Sequence, residues 1–202
     1  MTLTLYTMPA SGNALKVRFL LAELGLEYER VEVPPPRPRP DWYLEINPAG
    51  GVPTLVDDNF ALAESNAILR YLALRERRED LYPSEMRAHA WVNRLLDTWS
   101  TLVRPALFPL ELACGLFGEP TADDVEPNVG PATAALAAVE QVISDNGTMT
   151  GSFTIADVCA APTLFRSGKL GLPIDWSALP RLAAVREAVT THPAFLTAGP
   201  VR

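Results

Sequence analysis

Strand-like patterning in this chain is confined to its opening third, and after Leu81-Tyr82-Pro83 no further strand signal occurs in the rest of the 202 residues. A chain patterned this way must build a small sheet from its first part and helices alone from the remainder. Leu3 to Met8 is rich in β-formers and stops at Pro9, which reads as a short strand. Ser11-Gly12-Asn13 then offers a cap to a helix whose apolar residues 17, 20, 21 and 24 repeat at the spacing of a buried stripe, with Gly25 placed to end it. Residues 28–33 alternate as a second strand, so the opening is a βαβ unit with a right-handed crossover expected. Five prolines among residues 34–40 exclude a helix or a central strand there. Trp42 to Ile46 is long enough for one helical turn. Thr54–Asp57 and Phe60–Leu62 read as a hairpin turning through Asp58-Asn59, and Glu64 to about Arg77 returns to helical periodicity.

Beyond residue 84 the pattern is helical throughout. Ser84 to about Cys114 reads as one helix kinked or interrupted by Pro105 and Pro109, and Pro131 to about Ser144 as another that starts on its proline. Thr154 to Arg166 carries a capping box, Thr154 with Asp157, and Pro162 should bend it; Pro180 to Val189 makes a last helix before His192-Pro193. The expected division is a domain over residues 1–78 and an all-helical one over 84–202. Net charge is −7, from 24 acids against 17 bases, which disfavours general nucleic-acid binding because phosphate contacts need clustered Lys and Arg. No run reaches the roughly 18 apolar residues of a membrane span, and the start lacks the basic and apolar regions of a signal peptide. Cys114 and Cys159 form no Cys-x-x-Cys and read as packing residues in a reducing compartment, so the protein is expected in the cytoplasm. Asn146-Gly147-Thr148 matches a glycosylation acceptor and reads, in that compartment, as a turn. His89 and His192 show neither metal nor triad spacing, and no metal is expected.

Three local motifs carry chemistry. Ser11-Gly12-Asn13-Ala14-Leu15-Lys16-Val17-Arg18 follows the first strand, Asn47-Pro48-Ala49-Gly50-Gly51-Val52-Pro53 precedes the hairpin, and Glu64-Ser65 opens a helix eleven residues after Pro53. In this order and spacing they resemble the glutathione transferase family, and the resemblance runs over nearly the whole chain. It implies a thioredoxin-like α/β domain, an all-helical domain that contributes the electrophile site, and glutathione as co-substrate. In serine-type members the serine lies fourteen residues before the glycine that ends the first helix, the separation of Ser11 from Gly25 here. In tyrosine-type members the catalytic position would fall on Thr7, and the neighbouring Tyr6 points to the opposite face of a strand.

The chemistry explains why such residues are wanted. A thiol titrates near pH ~8.5 and reacts as its thiolate, so lowering that pKa by about two units needs roughly 2.7 kcal/mol of preference for the anion. A hydroxyl donor supplies about 1.5–3 kcal/mol and a helix N-terminus about 0.3–1 kcal/mol. Ser11, at a strand-to-helix junction, offers both; as a bare serine it is also an ordinary cap. Asn13 is the alternative donor to the sulfur. The resemblance makes Val52-Pro53 a cis bond that leaves the Val52 backbone to pair with the cysteinyl backbone of glutathione, as an added strand pairs with an edge. It makes Glu64 the partner of the γ-glutamyl ammonium and Ser65, with free N–H groups of its helix, the partner of the carboxylate. Many members carry Lys or Gln just before the Val-Pro pair, near the glycyl carboxylate; this chain has Gly51, and Arg37, Arg39 or Trp42 are the candidates to stand in for it. Trp99, Leu102, Phe108 and Leu112 could line an apolar pocket or simply form core.

The expected activity is conjugation of glutathione to a small apolar electrophile, by a homodimer if the family norm holds. The alternatives are glutathione-dependent isomerisation, dehalogenation or disulfide reduction on the same site, or a non-catalytic binding module of the same fold.

Overall fold

Leu3, Leu5 and Thr7 of the first strand, β1 (Leu3–Thr7), are buried, while Thr4 and Tyr6 between them are half-buried, the period of two that a strand with unequal faces requires. In the computed structural model, which describes residues 2–35 and 37–200, β1 lies inside a four-stranded sheet. Helix α1 (Gly12–Glu23) leads to β2 (Glu29–Glu32), which pairs with β1 in parallel. After the short α2 (Asp41–Leu44) come β3 (Thr54–Asp57) and β4 (Phe60–Ala63), a hairpin whose first strand runs antiparallel to β1. The strand order is β2-β1-β3-β4, and α3 (Ser65–Arg75) packs on α1. Pro36, in the middle of the proline run, and positions 1, 201 and 202 lie outside the described residues.

Helix α1 ends as the sequence suggested. Gly25 takes φ +65°, Leu26 N–H donates to the Leu21 carbonyl at 3.0 Å, and Gly25 N–H donates to that of Ala22 at 3.2 Å. These paired bonds close a helix end with a left-handed residue just beyond the cap.

The second part is helical: α4 (Met86–Thr98), α5 (Arg104–Ala113), α6 (Ala122–Glu140), α7 (Ile155–Lys169) and α8 (Pro180–Thr191). The helix expected over residues 84–114 differs in its middle. Trp99–Val103 forms a π-helical turn, and Pro105 follows at the first turn of α5. Proline has no N–H for the carbonyl four residues back, and the widened turn absorbs that loss. Helix α6 starts at Ala122 instead of Pro131, with Pro127 and Pro131 both inside it; Asp123 and Asp124 in its first turn favour that earlier start. The capping box of α7 is formed: Thr154 N–H donates to Asp157 Oδ2 at 2.9 Å, and Met149 N–H to Oδ1 at 2.7 Å.

The chain divides into two compact units between Arg78 and Glu79. Residues 193–200 cluster with the first unit, a difference from the helical domain expected over 84–202. There α9 (Pro193–Thr197) packs on α1, with the Phe195 and Phe19 rings edge to face at 5.3 Å. No helix among the described residues is long and apolar enough to cross a membrane.

Candidate functional site

Strand register brings the three sequence motifs to one end of the sheet. Tyr6, next to the last residue of β1, is paired with Thr54, the first of β3, and Thr54 is in turn paired with Ala63, the last of β4. Adjacent strands lie about 4.8 Å apart. The Met8–Ser11 loop after β1, the Gly51–Pro53 approach to β3 and the Glu64–Ser65 start of α3 therefore leave the sheet side by side.

Ser11 is the N-cap of α1, and its Oγ accepts the Ala14 N–H at 3.2 Å. A hydroxyl that accepts still has its own proton to donate, and among the described residues that proton has no acceptor. Asn13 sits in the first turn of the same helix with its side chain exposed. Thr7, where a tyrosine-type member would place its phenol, is buried, and Tyr6 on the other face packs against Trp42 and Tyr43.

The loop before β3 is tied down from beneath. The Val52–Pro53 bond is cis. Tyr43 Oη donates to the Gly51 carbonyl, which also accepts from Asn47 Nδ2 at 2.9 Å, and both side chains reach Thr54 Oγ1, at 2.9 and 3.0 Å. Among the described residues the Val52 backbone N–H and C=O have no protein partner. Gly51 faces open space: a Cβ built there meets nothing within 4 Å.

Arg39 does not hang free over this gap. It is buried, with Nε donating to the Gly50 carbonyl at 3.1 Å, Nη1 to that of Pro34, and Nη2 directed at Met8 Sδ at 3.7 Å. It thus joins the loops around Met8 and Gly50. Arg37 and Trp42 are exposed.

At the third motif Glu64 is exposed and holds φ 67°, ψ 111°, a conformation that non-glycine residues rarely adopt. Such strain persists where surrounding structure or function demands it. No side chain caps α3, and Ser65 is buried in its first turn. Beside the Ser11 loop lies a mostly apolar cleft of about 440 Å³, walled by residues 8–10 and 33–35 with Glu32 as its one charged residue.

Arg18 lies within the first motif without a role legible in the sequence. It is 2% exposed and donates to Thr7 Oγ1 at 3.0 Å and to the carbonyls of Met8 and Pro9, each at 3.4 Å. The signal of its placement was there: a charge seven residues after Ser11 shares its helix face and adjoins the apolar stripe.

In the helical unit Trp99 is 1% exposed and donates through Nε1 to Thr163 Oγ1 at 3.4 Å, so it belongs to the core; Leu102 and Leu112 are exposed. His89 is held between Tyr82 Oη, 3.0 Å from Nε2, and the Pro83 carbonyl, 2.9 Å from Nδ1, while His192 stacks on Phe153. Cys159 is buried and Cys114 half-buried. Asn146 is a turn residue: its Nδ2 donates to the Gly151 carbonyl at 2.8 Å, and its Oδ1 accepts from Thr148 Oγ1 at 2.7 Å. No group of three acidic, His or Cys residues suited to a metal occurs among the described residues.

A thioredoxin-like α/β unit followed by an all-helical unit is the class this fold defines. Comparison with known proteins agrees. Residues 5–79 match the family model described as the glutathione S-transferase N-terminal domain, and residues 122–188 match the C-terminal domain. The chain is 34% identical to glutathione S-transferase 3 of Zea mays, over 96% of this chain and 91% of that one. It is also 34% identical to maleylacetoacetate isomerase of Pseudomonas aeruginosa, over 97% and 95%. The solved structure of glutathione S-transferase III in its apo form superposes with a TM-score of 0.81 at 32% identity, covering 98% of this chain and 95% of that one. The chain belongs to the glutathione S-transferase family.

Proposed function

We propose that this protein is a serine-type glutathione transferase: it binds glutathione at the sheet end described above, and Ser11 holds the sulfur as a thiolate for attack on an electrophilic carbon of a small apolar molecule. The observation that carries this reading is the register that sets the Ser11 loop, the Val52 backbone and the start of α3 beside one another.

Each part has a physical task. Ser11 Oγ spends a lone pair on the Ala14 N–H, which fixes the oxygen and leaves its proton for the sulfur. The hydroxyl favours the thiolate by about 1.5–3 kcal/mol and the α1 N-terminus by about 0.3–1 kcal/mol, a combined range that brackets the roughly 2.7 kcal/mol of a two-unit drop in thiol pKa. Val52 offers an unpaired N–H and C=O to an extended peptide. The uncapped first turn of α3, with the Ser65 hydroxyl, suits the γ-glutamyl carboxylate, and Glu64 suits its ammonium. The cleft lined by Met8 and Pro34 suits the apolar body of the acceptor. In the reaction a sulfur–carbon bond forms as the leaving group departs with its electron pair, with no change of oxidation state at the protein. Family membership and the net charge of −7 also favour a cytoplasmic homodimer without a nucleic-acid partner.

A second reading has its own support, the isomerase relative at 34% identity over nearly the full chain. On the same site the thiolate would add to a conjugated double bond, the bond would rotate, and elimination would return glutathione unconsumed.

Calorimetric titration with glutathione, followed by conjugation of a halogenated nitroaromatic across pH, tests both. Saturable binding and turnover are expected. Ser11→Ala lowers kcat/KM about 10- to 100-fold and moves the pH profile about one to two units alkaline, while Asn13→Ala changes rate less than about twofold. The opposite pattern makes Asn13 the sulfur donor, and absence of saturable heat ends the reading. An electrophilic cis-alkene isomerised without loss of glutathione selects the second reading.

A further inference from the structure

Besides the bonds it shares with α1, Ser11 is held to the preceding loop by one backbone acceptor. Its N–H donates to the Met8 carbonyl at 3.1 Å, and that carbonyl also receives Arg18 Nη1 at 3.4 Å. The same guanidinium holds the two residues flanking Met8: Thr7 through its hydroxyl at 3.0 Å and Pro9 through its carbonyl at 3.4 Å. Its remaining edge faces a distant part of the chain, with Nε donating to the Ala198 carbonyl at 3.1 Å. Ala198 follows α9, whose Phe195 is fully buried against Phe19, the residue after Arg18. One planar fork with fixed donor directions therefore spans the end of β1, the loop that presents Ser11, and the chain's returning C-terminal segment.

We propose that Arg18 is a positioning residue for Ser11, and that the 193–198 segment, through Ala198, is part of the lock that fixes the Ser11 loop. This rests on the serine-type reading given above. The physical need is plain. The side chains of Met8, Pro9 and Ala10 carry no hydrogen-bond donor, so donors that reach the Met8 and Pro9 carbonyls from α1 bear directly on where the loop sits. A hydroxyl displaced by about 1 Å from the sulfur forfeits much of its effect. Arg18 touches no reacting atom; it holds the carbonyl that holds Ser11. The C-terminal segment fixes the guanidinium from the other side, which makes a segment about 180 residues away in sequence part of the thiolate's support.

The test compares wild type, Arg18→Lys, Ser11→Ala and the double variant. Lysine keeps the charge and length but has no fork to span four acceptors. The first readout needs no ligand: amide hydrogen exchange at Ser11 and Ala14 is expected to rise about tenfold or more in Arg18→Lys. The second is the pKa of the bound glutathione thiol, read by thiolate absorbance. Arg18→Lys is expected to raise it by about half a unit or more and to lower kcat about 3- to 10-fold, with the KM for glutathione changed less than about twofold. In the Ser11→Ala background the same change leaves the thiol pKa where it was, since a residue acting through Ser11 has nothing left to position. Phe195→Leu, which keeps an apolar core but loosens α9, shifts exchange and thiol pKa in the same direction. Unchanged exchange at Ser11 overturns the proposal, whether or not glutathione binds. Equal effects of Arg18→Lys with and without Ser11 overturn it too, because they mark a merely structural arginine. No effect of Phe195→Leu removes the C-terminal segment from the lock. Wild type that fails to bind glutathione counts against the serine-type reading, and the exchange result still decides whether Arg18 positions the loop.

Discussion

Two adjacent glycines, Gly50 and Gly51, stand where the peptide loop meets β3, and they answer differently to a side chain. Gly50 has φ +64°, and a Cβ there would lie 3.2 Å from Arg39 Cγ, so it needs both glycine's freedom and its lack of bulk. Gly51 has neither constraint, since a Cβ would meet nothing within 4 Å. The sequence showed the missing side chain and offered Arg37, Arg39 or Trp42 to replace it; it could not show that Arg39 is spent on the Gly50 and Pro34 carbonyls, because those bonds depend on how three loops come together. On the proposed reading, which puts the glycyl carboxylate of glutathione beside this position, Gly51→Lys adds a charge for it at no cost in strain. A new exposed charge-assisted bond worth about 1 kcal/mol lowers the KM for glutathione about 3- to 10-fold with kcat nearly unchanged, the pattern of binding that stabilises ground and transition states alike. Steady-state kinetics at varied glutathione checks this; a KM that stays or rises would mean the glycyl end lies elsewhere.

Helix ends show what local sequence can and cannot specify. Gly25 was readable as the stop of α1 because glycine is the residue that left-handed backbone prefers. Helix α3 closes by the same pair of bonds, Arg78 N–H to the Ala73 carbonyl at 2.9 Å and Arg77 N–H to that of Leu74 at 3.1 Å, but its left-handed residue is Arg77, at φ +55°. An L side chain in that conformation costs about 1 kcal/mol or more. Arg77→Gly is thus expected to stabilise the protein by about 0.5–1 kcal/mol, part of the relief being offset by glycine's freedom when unfolded, and to raise the melting midpoint by roughly 1–4 °C. An unchanged or lower midpoint in thermal unfolding would show that the Arg77 side chain makes good the strain. The strands were legible because alternation and turn residues are local signals. The start of α6 and the π turn before α5 were not: proline in a sequence marks a lost N–H, but whether the chain breaks, widens or carries on is decided by what packs around it. The three site motifs could likewise be picked out in order, whereas their meeting at one sheet end follows from the pairing of Tyr6 with Thr54 and Thr54 with Ala63, which no single segment encodes.

At the scale of the molecule, chain order and spatial order part company at the C-terminus. The stop at His192-Pro193 is plain in the sequence, but Ala194-Phe195-Leu196 is too short to show periodicity, so nothing local says that it belongs with the first unit. What recruits it is tertiary: Phe195 on Phe19, both fully buried, and the Arg18 bond to the Ala198 carbonyl. Burying two aromatic faces contributes about 2–3 kcal/mol, a large share of the stability open to a unit of some 80 residues. A fragment of residues 1–78 leaves Phe19 uncovered and the Arg18 Nε without its carbonyl. It is expected to melt broadly and at low temperature, and the same fragment with residues 193–200 joined through a flexible linker is expected to regain a cooperative transition. The linked fragment carrying Phe195→Ala separates the segment's contacts from the mere addition of chain: if it melts as well as its parent, or if the bare fragment already unfolds sharply at the same midpoint, the C-terminal segment is no part of the first unit's core. The expected order of midpoints, linked parent above Phe195→Ala above bare fragment, follows because each step removes buried apolar surface while leaving the sheet and α1 unaltered in sequence.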